Sequence, residues 1–337
     1  MTSALRQLAP SHRNGSPCGV TSICSAHPIV IRAAARNAAR TSGPLLIEAT
    51  CNQVNQFGGY TGMLPGDFVR LVQEIAVEER LPRQDIIFGG DHLGPNPWRN
   101  EPAESALQKA EQMAAYVEAG FRKIHLDASM GCAGEPLALD DATTATRALR
   151  LARAAEAAAC RSGGEMPLYV IGTEVPPPGG ARHVITELEP TSAAAAQRTI
   201  DVHRQLFMEA GLADAFARVI GLVVQPGVEF GNENVVSYDG AKARALSELL
   251  PGNPGLIYEA HSTDFQGHDR LRELVADGFA ILKVGPELTF VLREALYGLD
   301  LIASDAVPGY PNRHLMTAME ELMSEEPGHW IGHYQGI

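Results

Sequence analysis

An adjacent carboxylate and imidazole, Asp91 and His92, end a short apolar run in the stretch "IIFGGDHLGPNPW". Two glycines precede the pair, and two prolines stiffen the chain behind it. Imidazole is a common ligand of Zn²⁺, and a carboxylate near a metal can transfer protons. The pair therefore predicts a division of labour, with His92 on a metal ion and Asp91 moving protons. The structural alternative for Asp91 is a cap of the turn between Gly94 and Pro97.

Two more side chains of metal-binding type follow later apolar runs, Glu229 in "QPGVEFG" and His261 in "YEAHSTDF". Three nitrogen and oxygen ligands with one open position are typical of a catalytic divalent-metal site. The ligand types favour Zn²⁺, with Mn²⁺ or a similar ion as second choice. The sequence predicts such a site at His92, Glu229 and His261. For each histidine alone, a structural role held by hydrogen bonds stays open.

Further ionisable and polar residues stand at comparable positions. Asp127 in "HLDAS" and Glu174 in "IGTEVPPPGG" are additional candidates for proton transfer. Lys283 interrupts the apolar run "AILKVGP", where it could form a Schiff base with a ketose or, as the favoured interpretation, an ion pair with nearby carboxylates. The candidate substrate-binding residues are Glu48, Asn52, Gln53, Gln225, Arg182, Ser262 and Lys283.

The candidate substrate-binding residues in predicted loops are chosen because of the hydrogen bonds or ion pairs that their side chains can form. The stretch "CNQVNQFGGYTGM" (51–63) is rich in amides, which both donate and accept and therefore suit a hydroxyl-rich ligand. Arg182 follows the stiff segment "PPPGG" and could reach an anionic group, although a plain surface loop explains the same residues.

Eight apolar runs rich in β-branched residues alternate with helical segments along the chain. Their near-continuous hydrophobicity is typical of parallel strands covered on both faces. Eight strand–helix units predict an α/β protein with a single (β/α)8 TIM barrel, in which the active site lies at the carboxyl ends of the strands. The predicted strands lie at 19–27, 45–50, 86–92, 123–129, 168–174, 219–227, 256–262 and 280–286.

The expected domain organisation is an N-terminal segment (1–18), the barrel (19–306) and a short helical C-terminal extension (307–337). A doubly wound open sheet is the alternative fold. No GxGxxG or GxxxxGK[ST] motif follows any predicted strand, which argues against that fold and against a kinase.

The amino-acid composition limits the kinds of molecule that the chain is expected to bind. The chain of 337 residues has a net charge of −13, which disfavours nucleic acid and anionic membranes, but a small phosphorylated ligand needs only a few local donors. No apolar run approaches the ~20 residues of a membrane helix. The five cysteines lack CxxC spacing and predict reduced thiols in the cytoplasm.

Seven blocks of the sequence, in order, resemble the tagatose-bisphosphate aldolase accessory-subunit family, also labelled tagatose 6-phosphate kinase. The resemblance covers residues 19–290. The blocks are "EATCNQVNQFGGYTGM", "GGDHLGPNPW", "HLDASM", "GTEVPPPGG", "VVQPGVEFGN", "YEAHSTDFQ" and "LKVGPELTF".

The family is similar in turn to class II, zinc-dependent ketose-bisphosphate aldolases, which are (β/α)8 barrels. This similarity implies zinc ligands at His92 and His261 and a proton-transfer carboxylate at Asp91. The chain departs from the aldolases in two places. Glu229 stands where they have a histidine ligand, and "STDF" replaces their glycine-rich phosphate loop.

Two functions stay open under the resemblance. One is a D-tagatose 6-phosphate 4-epimerase that forms D-fructose 6-phosphate by cleaving the C3–C4 bond, turning the aldehyde and re-forming the bond. The other is an accessory subunit of D-tagatose-1,6-bisphosphate aldolase, with a catalytic aldolase chain as partner. An intact metal site favours the enzyme, with a phosphorylated ketose as substrate; a homo-oligomer is a further expectation.

Overall fold

The computed structural model describes residues 2–172, 188–231 and 233–331. In this part of the chain eight parallel strands close into one barrel, each beside its neighbour in sequence and the last beside the first. The predicted (β/α)8 TIM barrel is therefore confirmed. The strands are β1 (Val20–Cys24), β2 (Leu45–Thr50), β3 (Ile86–Leu93), β4 (Lys123–Leu126), β5 (Leu168–Ile171), β6 (Val219–Val223), β7 (Ile257–Ala260) and β8 (Phe279–Val284).

Helices cover the outside of the barrel and its amino end. Several begin at the side-chain caps that the sequence provides, such as His27, Asp140 and Ser192, which accept backbone N–H groups. The helices are α1 (Ser3–Arg13), α2 (Pro28–Thr41), α3 (Pro65–Glu78), α4 (Ala103–Glu111), α5 (Ala114–Ala119), α6 (Asp141–Ser162), α7 (Ala193–Glu209), α8 (Ala213–Phe216), α9 (Gly240–Ser247), α10 (His268–Ala276), α11 (Pro286–Ala306) and α12 (His314–Glu325).

Smaller elements join the main ones. An antiparallel ribbon pairs Glu229–Phe230 with Val235–Val236 after β6. Among the described residues, 3-10 turns lie at Arg83–Asp85, Asn96–Trp98, Leu250–Gly252 and Pro327–His329. None of the helices in the described part of the chain combines the length and the apolar character that a membrane span requires.

The segment 103–120 forms two helices, α4 and α5, rather than one continuous helix. Around Gln112 and Met113 the backbone bonds run from residue i to residue i−3: Gln112 N–H donates to Lys109 and Met113 N–H to Ala110. This tighter turn ends α4. It also lets Met113 reach the core, where it is 3% exposed.

The interior of the barrel is layered. At the amino end, α1 closes the barrel, and its Leu5 and Leu8 pack against inward-facing strand residues such as Leu46, Ile87 and Ile281. The apolar pattern of the strands does not predict this helix, which lies in the N-terminal segment. It leaves the opposite, carboxyl end of the barrel as the open one.

Above this apolar layer the inward-facing side chains are charged. Side chains alternate between the two faces of a strand, so residues two apart share one face. Glu48 therefore follows Leu46 into the interior of β2, and Lys283 follows Ile281 in β8. The charged layer consists of Glu48, Lys123, Glu259 and Lys283, all buried and joined by ion pairs.

Candidate metal and catalytic site

A cleft of about 250 Å³ opens at the carboxyl end of the barrel. It lies where the fold predicts an active site. Six residues singled out from the sequence line it, namely Gln53, Asp91, His92, His261, Ser262 and Lys283. Its other lining residues are Cys24, Thr50, Phe230, Asp264, Val284, Gly285 and Pro286.

Three imidazoles lie close together, two of them in the lining of the cleft. The ring centroid of His92 lies 4.9 Å from that of His125 and 4.8 Å from that of His261, and the last two are 5.5 Å apart. One ligand atom from each of these histidines and from Asp91 falls within 4.8 Å of all the others. The structure thus brings His92 and His261 together, as the sequence predicts, and adds His125.

His92 is held by a carboxylate at the end of the next strand. Its Nδ1 lies 2.7 Å from Asp127 Oδ2, so Nδ1–H donates, and in the neutral ring the lone pair of Nε2 is available. Burial alone would raise the pKa of Asp127, but the hydrogen bond and charge of His92 lower it well below its ordinary value. Asp127 therefore acts on His92 as a positioning carboxylate.

Both ring nitrogens of His125 are engaged. Its Nε2 lies 2.8 Å from the carbonyl oxygen of Gly172, and its Nδ1 lies 3.3 Å from the backbone nitrogen of His92. A neutral ring with Nε2–H donating and Nδ1 accepting satisfies both contacts. His125 is thereby better suited to fixing the end of β3 than to binding a metal. The sequence does contain a signal for His125: in the stretch "HLD" (125–127), the first and third residues are polar and lie on one face of the strand.

His261 is buried, and its surroundings favour the neutral imidazole. Burial, reinforced by the charge of Lys283, lowers its pKa to about 3. Its Nε2 lies 3.2 Å from Glu259 Oε1. A neutral imidazole is the form that a metal ligand requires.

Asp91 has three charged or imidazole neighbours. It forms a close ion pair with Lys283 Nζ, and its Oδ1 lies 3.3 Å from His125 Nδ1 and 3.7 Å from His92 Nε2. Burial alone would raise the pKa of Asp91, but the charges of His92 and Lys283 outweigh it and lower the pKa well below its ordinary value. These contacts point Asp91 into the cleft, whereas the alternative role would direct it to the turn between Gly94 and Pro97.

Lys283 lies between carboxylates. Besides Asp91, its Nζ lies 3.4 Å from Glu48 Oε2 and 3.6 Å from Glu259 Oε1. Burial alone would lower its pKa, but Asp91 and the neighbouring anionic groups raise it well above the ordinary value. A Schiff base needs the neutral amine. The geometry therefore supports the ion-pair interpretation of Lys283.

Within the described residues, the buried groups that ion pairs join at this end of the barrel do not balance in charge. Four carboxylates face two ammonium groups, so two negative charges are left over when the imidazoles are neutral, as metal ligands must be. An uncompensated buried charge is costly, and a divalent cation at the imidazoles would balance it. The groups are Asp91, Asp127, Glu48 and Glu259 against Lys123 and Lys283.

The predicted third ligand, Glu229, lies apart from this cluster. It is buried at the start of the antiparallel ribbon, and its Oε1 accepts the N–H of Phe230 at 2.9 Å. The side chain thus folds back onto its own backbone, and the group of close ligand atoms contains His125 instead.

The remaining predicted residues divide into three groups. Glu48 and Gln225 have structural partners: Glu48 belongs to the charged layer, and Gln225 Oε1 accepts the N–H groups of Gly227 and Val228 in the turn after β6. Asn52 is exposed and does not line the cleft. Glu174 and Arg182 lie outside the described residues.

A closed (β/α)8 barrel whose carboxyl-end cleft gathers imidazoles and carboxylates defines a barrel enzyme. Over residues 5–337 the chain matches the family model described as "D-tagatose-1,6-bisphosphate aldolase subunit GatZ/KbaZ-like", and it belongs to that family. The resemblance found in the sequence is thus confirmed.

Individual relatives carry different names. The chain is 61% identical, over its whole length and 79% of the relative, to a D-tagatose 6-phosphate 4-epimerase of Agrobacterium fabrum (strain C58). A solved structure named as a probable tagatose 6 phosphate kinase from Sinorhizobium meliloti 1021 has 58% identity and a TM-score of 0.86, covering 95% of this chain and 78% of that one. A fructose-bisphosphate aldolase of Campylobacter jejuni, at 13% identity, has a TM-score of 0.53 over 94% of this chain and 88% of its own, a likeness of fold.

Proposed function

We propose that this chain is a divalent-metal-dependent enzyme that interconverts D-tagatose 6-phosphate and D-fructose 6-phosphate by inverting C4. The observation that carries the proposal is His92, whose Nδ1 is tied to Asp127 while its Nε2 remains available beside Asp91 and His261 in the cleft. The 61% identity to a protein named for this reaction supports the substrate.

His92 and His261 would hold the metal, and Glu229 remains the proposed third ligand. Zn²⁺ is the first choice and Mn²⁺ the second. When bound, the ion would polarise the C2 carbonyl of the ketose.

Asp91 is the proposed proton carrier. It accepts the proton of the C4 hydroxyl, the C3–C4 bond breaks with its electron pair left on the C3 fragment, and C4 becomes an aldehyde carbon. Rotation of the aldehyde exposes its other face, and as the bond re-forms the proton returns to the C4 oxygen. Asp127 is already engaged by His92 and serves to position it, whereas Glu174 stays a second candidate for proton transfer.

Polar groups along the cleft are suited to the hydroxyls of the sugar. Ser262 Oγ is buried without a hydrogen-bond partner among the described residues, and Gln53 lines the same wall. Lys283, held as an ammonium ion, can donate to a substrate oxygen. Arg182 remains the proposed contact of the phosphate.

A cytoplasmic location is part of the proposal and is supported by the five cysteines, all of which are free thiols. The second candidate function is an accessory role beside a catalytic aldolase chain, which the wording of the family description favours. A second copy of this chain is a further proposed partner.

The experiment is to incubate the purified protein with Zn²⁺ or Mn²⁺ and either tagatose 6-phosphate or tagatose 1,6-bisphosphate. Enzymes that detect fructose 6-phosphate and triose phosphates follow the products. Fructose 6-phosphate from the monophosphate supports the epimerase. Triose phosphates from the bisphosphate indicate an aldolase, and no turnover of either sugar indicates the accessory role.

A further inference from the structure

Asp264 forms one wall of the cleft at the start of α11. Its Oδ1 accepts the backbone N–H of Gly285 at 3.0 Å and that of Glu287 at 2.8 Å. Gly285 and Pro286 line the same cleft, and Asp264 is only 2% exposed. A carboxylate of the chain therefore occupies the N–H groups that a helix start would otherwise offer to an anionic ligand.

The first turn of α11 carries a second carboxylate. Glu287 Oε2 accepts the N–H of Phe265 at 2.7 Å, which fixes the loop that follows His261 against the helix. Among the described residues that line the cleft, Lys283 is the one lysine or arginine, and it already pairs with Asp91, Glu48 and Glu259. This end of the cleft thus has one fixed carboxylate in its wall, a second in the helix turn beside it, and an ammonium group that already pairs with three carboxylates.

We infer that Asp264 makes the enzyme selective for ketose monophosphates by rejecting a phosphate at the sugar carbon that faces α11. A phosphate there would meet a like charge at short range and would find the Gly285 and Glu287 N–H groups taken. An uncharged hydroxymethyl group meets neither obstacle, and its hydroxyl can donate a hydrogen bond to the carboxylate of Asp264. The inference rests on the proposed function, because it assigns the uncharged C1 end of the 6-phosphate to this wall.

The test compares the binding of fructose 6-phosphate and fructose 1,6-bisphosphate by calorimetry in the presence of Mn²⁺. The variants are Asp264→Asn, which retains an oxygen for the two N–H groups but removes the charge, and Asp239→Asn. Asp239 accepts the N–H of Ala241 at the start of α9 and does not line the cleft, so it controls for loss of a capping carboxylate.

The wild-type chain should bind the bisphosphate at least ~10-fold more weakly than the monophosphate, the size expected for like charges at close range. Asp264→Asn should shift the ratio of the two Kd values towards the bisphosphate by about 10-fold, and Asp239→Asn should leave it unchanged. Melting temperatures show whether both variants are folded.

Equal binding of the two sugars by the wild-type chain, or an unchanged ratio in a folded Asp264→Asn variant, would overturn the inference. If Asp264→Asn does not fold, Asp264→Ser keeps a short acceptor and must give the same shift. The test compares Kd values and not rates, so failure of the proposed reaction appears separately, as tight binding of the monophosphate without formation of tagatose 6-phosphate.

Discussion

In the proposed metal site the ligand atom of His92 is Nε2, because Asp127 holds the other ring nitrogen. Exchanging Asp127 for Asn weakens this orientation, and changes to such supporting carboxylates typically reduce metal affinity by about 10–100-fold. We therefore expect Asp127→Asn to bind Zn²⁺ more weakly by that factor, as measured by competition with a chromogenic chelator. Asp214→Asn, which alters an exposed carboxylate on α8, is the control. Equal affinity in the Asp127 variant would mean that His92 is not a ligand.

Asp91 is expected to act in the chemical step. Asp91→Asn keeps the shape but cannot accept a proton, so kcat should fall by about 10²–10⁴-fold with little change in KM. Metal content should stay close to that of the wild-type chain. Because Asp91 also pairs with Lys283, the melting temperature must be recorded with the rates. A destabilised variant with full turnover would give Asp91 a structural role and move proton transfer to Glu174.

The sequence predicted the histidines of the site better than their partners. His92 and His261 stand at the ends of apolar runs, where barrel topology brings them together whatever the details of packing. The role of His125 depends on contacts with His92 N–H and Gly172 from other strands, which no local pattern encodes. The position of Glu229 depends on the antiparallel ribbon, whose two short strands are too brief to show periodicity.

At the scale of elements, the ends of β3 and β4 touch at Gly94. A Cβ at this position would lie 1.6 Å from the carbonyl oxygen of Asp127, so only glycine allows the approach. Gly94→Ala should push β4 away and displace Asp127 from His92. We expect a loss of about 1–3 kcal/mol in the free energy of unfolding, together with weaker metal binding.

The matched control is Gly66→Ala in the first turn of α3. A Cβ at Gly66 meets no heavy atom within 4 Å, so this variant should unfold at or above the wild-type temperature. Chemical denaturation of both variants measures the difference. If Gly94→Ala were as stable as Gly66→Ala, the close contact between the two strand ends would not exist in solution.

A buried histidine in α7 should make stability depend on pH. His203 is fully buried, its Nδ1 lies 2.8 Å from the carbonyl oxygen of Thr199, and burial lowers its pKa. In the unfolded chain His203 therefore binds a proton as the pH falls through about 6.5, whereas in the folded chain it stays unprotonated at that pH. The stability that His203 contributes is present above that pH and decreases as the pH falls below it, by up to about 1.4 kcal/mol per pH unit.

Measuring the free energy of unfolding between pH 7.5 and pH 5.5 (about one unit to either side of the ordinary histidine pKa) checks this expectation. His203→Gln should flatten the acid slope, whereas His268→Gln, at an exposed site on α10, should keep it. An identical slope in all three proteins would assign the acid sensitivity to other groups.

The strands were predictable and some connecting elements were not. Eight continuous apolar runs specify buried parallel strands, and each of them is found in the barrel. Helix α1 was not predicted, because its apolar residues are matched to the amino end of the barrel, a surface that exists only after closure. The division of α4 from α5 likewise follows from burial of Met113 rather than from a helix-breaking residue.

On the scale of the whole molecule, three layers with different roles follow one another along the barrel axis. The apolar layer closed by α1 gives stability, the layer around Lys123 and Glu259 supplies ion pairs, and the carboxyl end presents imidazoles to the cleft. The excess of buried carboxylates at the upper end supports the proposed divalent cation. The metal should therefore stabilise the whole fold as well as support turnover.

The most direct test of metal-dependent inversion at C4 is a carbon NMR time course of tagatose 6-phosphate with the purified chain in D₂O. Cleavage and re-formation of the C3–C4 bond leave the C4–H bond intact. We expect fructose 6-phosphate that retains hydrogen at C4. Its formation should stop when a chelator is added and resume when Zn²⁺ or Mn²⁺ is added. Deuterium at C4, or equal conversion with the chelator present, would contradict this mechanism.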